Sequence, residues 1–96
     1  MSKVYGILPA VTVLPATPTN LVANVVTAVS IDLSADEVPD AANYTVYING
    51  VPSGTNTFPA FLITDLQPGT QYALAMQASN ALGSSPVSAP LLVTTS

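Results

Sequence analysis

A chain of 96 residues has room for one domain with one modest core. It contains no cysteine and no histidine, which excludes disulfides, Cys- or His-based metal sites and the commonest general base. With Lys3 as the single basic residue and a net charge of −4, it cannot neutralise a phosphate backbone or bind an anionic membrane by charge, so neither a nucleic-acid nor a membrane partner is expected.

Charged residues make up 6% of the chain, against roughly 25% in ordinary soluble domains. Hydrophobic residues make up 49%, and mean hydropathy is +0.52. A surface this poor in charge fits a protein whose faces are covered by neighbours, where ions would be costly to desolvate. A neutral, Ser/Thr-rich extracellular surface is the plainer alternative.

Residues 1–18 read as an extended apolar arm. Pro9, Pro15 and Pro18 forbid a continuous helix. Val4, Tyr5, Ile7, Leu8, Val11 and Val13 are the candidate assembly interface, docking on another protein or another copy of this chain. Gly6 and the prolines interrupt the run that a signal peptide would need. Met1 is read as the chain's own start, and no stretch has the ~18 apolar residues of a membrane span.

From residue 19 the pattern is period two. Leu21, Ala23 and Val25 alternate with Val22, Asn24 and Val26, predicting a first strand. Val29, Ile31 and Leu33 alternate with Ser30, Asp32 and Ser34, predicting a second. The segment 35–42 carries Asp36, Glu37, Pro39 and Asp40 and reads as a loop. Tyr44, Val46 and Ile48 alternate with Thr45, Tyr47 and Asn49, and Asn49-Gly50 predicts a type I′ hairpin because both residues tolerate positive φ. Residues 51–55, broken by Pro52 and Gly54, read as an edge strand. Phe61–Thr64 follows, then the longest alternation, in which Tyr72, Leu74, Met76 and Ala78 share a face. Leu91–Thr94 closes the domain. Seven short strands with turn signals every 8–12 residues predict an all-β, antiparallel Greek-key sandwich.

The most specific motif is Leu66-Gln67-Pro68-Gly69-Thr70-Gln71-Tyr72. It resembles the L-x-P-G-T-x-Y signature of fibronectin type III domains. Tyr44-Thr45-Val46, Ala78-Ser79-Asn80-Ala81-Leu82-Gly83 and the segment from Pro86 to Thr95 are similar to further elements of that family, and the resemblance covers residues 15–96. It implies a seven-stranded immunoglobulin-like sandwich over 19–96. It also implies a structural corner in which Leu66 plugs the core, Pro68 and Gly69 turn the chain between sheets, and the Tyr72 hydroxyl bonds backbone a few residues upstream. The family's core Trp is replaced here by Leu33, with Tyr44, Phe61 and Met76 expected to fill the space.

Nothing in the sequence assembles a catalytic, cofactor or metal site. Asp36, Glu37 and Asp40 lack calcium-loop spacing and a cleft that would shift a carboxyl pKa, and they read as a solvated turn. No Ser or Thr has a His, Lys or Cys partner to activate it. Asn43-Tyr44-Thr45 is a glycosylation sequon that matters only in a eukaryotic secretory setting. The loop after Asn80 has no Arg-Gly-Asp, so integrin-type adhesion is not supported. Leu82, Ser84 and Ser85 are its candidate outer contacts, and an exposed Tyr47 has the shape to stack on a sugar such as a host-surface glycan.

The resemblance therefore implies a non-enzymatic module that needs no cofactor. A stand-alone domain of this kind with an apolar arm resembles the small decoration or appendage proteins of tailed bacteriophages, located on the virion surface. The alternative is an extracellular carbohydrate- or protein-binding or spacer module of a secreted bacterial enzyme or adhesin.

Overall fold

A computed structural model describes residues 13–96; residues 1–12, which carry Val4, Tyr5, Ile7, Leu8 and Val11 of the expected interface, lie outside the described residues. The described chain is all β. A three-stranded sheet runs β1 (Val22–Val26), β2 (Ile31–Ser34), β5 (Ala60–Ile63). A second sheet runs β4 (Val51–Asn56), β3 (Asn43–Ile48), β6 (Gln71–Asn80), β7 (Gly83–Ser84), with β8 (Leu91–Thr94) also paired to β6. All pairings are antiparallel. All seven expected strands form, and β7 is an eighth, in a segment read from sequence as loop.

The core is the inward row of each strand. Ile31 and Leu33 from one sheet meet Leu74, Met76 and Ala78 from the other, all with no exposed surface, with Tyr44, Val46, Ile63, Leu66 and Val93 in the same cluster. Leu33 is fully buried in the place of the family's Trp, with Tyr44 and Met76 buried and Phe61 packed at the margin.

Two details of the strands depart from simple alternation. β1 carries a bulge between Ala23 and Val25, so Ala23 pairs with Leu33 but Val25 with Asp32 and Val26 with Ile31. The extra residue reverses the faces: Val26 packs on the core and Val25 is 56% exposed, opposite to the expected phase. Val29 is not in β2 but in the preceding turn, where its N–H donates to Thr27 Oγ1 at 3.2 Å, and its side chain is exposed. The hairpin at Asn49-Gly50 is as expected, with φ of 52° and 81° between the paired Ile48 and Val51.

The last strand is broken between β7 and β8 by Pro86 and Pro90, yet β6 loses no bonds there. Ser85 N–H donates to the Ala78 carbonyl at 2.7 Å, and its hydroxyl accepts the Ala78 N–H at 3.1 Å. Ser88 does the same for Met76, with N–H to carbonyl at 2.9 Å and Oγ accepting at 2.9 Å. Two side chains thus stand in for backbone acceptors that the proline-bent chain cannot offer.

Candidate interaction surface

At the corner, Gly69 holds φ +60° with open space around it, a backbone conformation that glycine adopts without strain. Its N–H donates to the Ser96 carbonyl at 3.1 Å. Leu66 is buried, Pro68 is exposed, and the Gln67 N–H donates to the Tyr72 hydroxyl at 2.8 Å. Thr95 closes the corner from the other side, its hydroxyl donating to the Gln67 carbonyl and accepting the Thr70 N–H at 2.9 Å. The corner fastens the entry of β6, and beside it lies a shallow groove of about 670 Å³ between Val29, Leu62, Leu66 and Gln67.

A second tyrosine holds the acidic loop. The buried Tyr44 hydroxyl accepts the Val38 N–H at 2.8 Å, pulling Val38 into the core. The Asp36 carboxylate accepts from Asn20 Nδ2, and the Asp40 carbonyl accepts from Asn80 Nδ2 at 3.0 Å. Among the described residues, no three acidic side chains are grouped where they could share a cation.

The same Asn80 side chain reaches the arm, its Nδ2 also donating to the Val13 carbonyl at 2.8 Å. Leu14 lies over Gly83, where a Cβ would meet its Cδ2 at 3.1 Å. Pro15 and Pro18 are buried, so residues 13–18 lie on this domain's own sandwich, while the side chains of Val13 and Leu14 stay exposed. Of the outer-loop residues, Leu82 and Ser84 are exposed. Ser85 is not available as an outer contact: it is 2% exposed, and its hydroxyl is used by Ala78 and by the Pro86 carbonyl, to which it donates at 2.8 Å. Tyr47 is half-buried, not free, and its hydroxyl donates to Gln77 Oε1 at 3.0 Å. It walls a shallow groove of about 360 Å³ with Ala73, Ala75, Val87 and Pro90, apolar and without the several convergent polar groups that recognise a sugar.

One outward surface with large exposed apolar side chains was not visible as a motif. On the outer face of the three-stranded sheet, Val25, Asp32 and Leu62 form one cross-strand row, and Val22, Ser34 and Ala60 the next. Leu62 is 70% exposed and Phe58, just before β5, 62%. The run Phe61-Leu62-Ile63 hid this, because three consecutive apolar residues do not say which one faces out; only the register, with Phe61 opposite Leu33 and Ile63 opposite Ile31, does.

No family model and no curated protein matches the chain by sequence. Solved structures do resemble it. The fibronectin type III domain of human fibronectin type III domain containing protein 3 is similar with a TM-score of 0.78 at 17% identity, over 90% of each chain. A family 28 exopolygalacturonase from Yersinia enterocolitica matches with a TM-score of 0.75 at 19% identity, over 83% of this chain and 20% of that one. A chitinase from Bacillus thuringiensis matches with a TM-score of 0.71 at 24% identity, over 84% of this chain and 13% of that one. The architecture of residues 13–96 is therefore that of the fibronectin type III sandwich.

Proposed function

We propose that the chain is a non-enzymatic structural module that works by packing against other proteins, as a small decoration or appendage protein of a phage capsid or tail. One observation carries this reading: a domain with 6% charged residues leaves large apolar side chains such as Val25, Phe58 and Leu62 exposed on its surface. Side chains like these are costly in water and favourable in a packed interface. Many copies on a symmetric particle would cover them, with the arm that begins at residue 1 as the anchor.

The second reading is a spacer or binding module of a secreted enzyme, and it is favoured by the likeness to parts of a chitinase and of an exopolygalacturonase. An antibody against the purified domain separates the two. Immunogold labelling of particle surfaces, with a band near 9.8 kDa in purified particles, is the expected result. A much larger secreted polypeptide carrying the epitope and a hydrolase activity would replace the first reading with the second.

A further inference from the structure

Asn49 stands where the chain leaves β3 for the turn into β4. Its backbone N–H donates to the Ala73 carbonyl at 2.8 Å, and its Oδ1 accepts the Ala73 N–H at 2.9 Å. These two bonds add a rung to the β3–β6 ladder beyond the Ile48–Leu74 pair. With φ at 52°, Asn49 has left the strand path, so its side-chain oxygen supplies the acceptor that a continuing strand would have offered.

The same residue carries a reactive pairing. The backbone nitrogen that follows an asparagine is a nucleophile one ring closure away from the side-chain carbonyl carbon, and a side chain on the following residue hinders the attack. Of the six asparagines in the chain, Asn49 alone precedes glycine; the others precede Leu21, Val25, Tyr44, Thr57 and Ala81. Asn49 and Gly50 are both exposed. A Cβ at Gly50 would meet no atom within 4 Å, and among the described residues the Gly50 N–H has no acceptor. Water therefore has access to the proton that this nitrogen must lose.

The fold sets the two partners on different courses. In the sheet order β4–β3–β6, Ala73 lies on one side of β3 and the turn runs to the other. The Ala73 bond draws the carboxamide towards β6, while Gly50 leads the backbone towards β4.

We propose that Asn49 is a site of spontaneous deamidation, and that its bond to Ala73 is the restraint that holds the reaction back in the folded protein. When the Ala73 rung opens, the Gly50 nitrogen gives up its proton to water and forms a bond to Asn49 Cγ. The Cγ–Nδ2 bond breaks, and Nδ2 leaves as ammonia with a proton returned from solvent, so a succinimide ring remains. One water then opens the ring. Cleavage at Cγ leaves aspartate, and cleavage at the backbone carbonyl leaves isoaspartate, whose main chain is one carbon longer. The net change is one water consumed and one ammonia released, with no oxidant or cofactor.

The two products differ in what they do to the sheet. Aspartate keeps an oxygen for the Ala73 N–H. Isoaspartate lengthens a two-residue turn that sets Ile48 opposite Val51. β4 is exposed along its whole length and pairs with β3 alone, so its register hangs on that turn. Either product adds one negative charge to a chain of net charge −4.

The test incubates the full chain at mildly alkaline pH, once folded and once unfolded in urea. Deamidation is followed by ion-exchange chromatography and placed by a chymotryptic peptide map, with isoaspartate marked by an isoaspartyl methyltransferase. Asn49 is expected to react before the other five asparagines in urea, and about tenfold or more slowly in the folded chain. Protection of the Ala73 amide from hydrogen exchange should match that slowing within an order of magnitude. Asn49→Asp, made directly, should keep the Ala73 protection. Equal rates in the folded and unfolded chain, or a folded chain that deamidates slowly while its Ala73 amide exchanges freely, overturns the restraint. First reaction at another asparagine in urea overturns the site.

Discussion

Two tyrosine hydroxyls do similar work in different surroundings, and the difference decides what each is worth. Tyr44 is buried and accepts the N–H of Val38, itself nearly buried; Tyr72 accepts the N–H of the exposed Gln67. Removing the Tyr44 hydroxyl leaves a donor where water does not reach, at a cost of about 1–3 kcal/mol. Removing that of Tyr72 lets water replace it, and the loss falls nearer ~1 kcal/mol. Tyr44→Phe is therefore expected to lower the unfolding midpoint more than Tyr72→Phe, read by thermal denaturation under identical conditions. The reverse order would mean that the corner, and not the acidic loop, is the tighter clasp. The corner was legible in the sequence through the resemblance of Leu66-Gln67-Pro68-Gly69-Thr70-Gln71-Tyr72 to the L-x-P-G-T-x-Y signature. The Tyr44 clasp was not, since the alternation of β3 says only that Tyr44 points inward.

At the scale of elements, period two located all seven expected strands but not the irregularities in two of them. In β1 the bulge at Asn24 inverts the phase, so Val25 and Val26 exchange faces relative to the expected pattern. In the last strand, Pro86 and Pro90 mark a break, but the repair depends on where two serine side chains point, which composition does not show. Ser85 therefore read as an outer contact when it is a ladder residue. The repair has a measurable consequence. Ser88→Ala removes the acceptor for the Met76 N–H in a strand whose Met76 side chain has no exposed surface. We expect about 1–3 kcal/mol of lost stability by denaturant titration, with an unchanged m-value if only the bond is lost. In native-state hydrogen exchange, the Met76 amide should lose protection first while Leu74 keeps its own. A neutral Ser88→Ala would show that another acceptor closes the gap, and the break between β7 and β8 would then have no need of serine.

At the scale of the whole molecule, the connectivity sets the folding behaviour. The central pairing, β3 with β6, joins Asn43 to Ser79, and β2 meets β5 across the entire intervening hairpin. Thr27 even accepts from Ser96, near the two ends of the sandwich sequence. No helix among the described residues offers a local nucleus, and outside the β1–β2 and β3–β4 hairpins the main pairings, β2 with β5, β3 with β6 and β6 with β8, require closing a long loop first. Refolding from denaturant is thus expected in the millisecond-to-second range typical of all-β sandwiches, not in microseconds. Stopped-flow fluorescence has four tyrosines and no tryptophan to report it. The slow route also bears on assembly. While the sheets are still apart, Leu62 and the open side of β5 are exposed together with the inner faces of every strand, which invites wrong pairings. Closure of the 66–72 corner carries the chain from β5 in one sheet to β6 in the other and leaves the outer side of β5 without a strand partner among the described residues. If that order holds, Leu66→Ala, which weakens the plug of the corner, should slow folding as well as destabilise, with a φ-value above about 0.5. A φ-value near zero would place the corner late and leave β5 unprotected through most of the folding reaction.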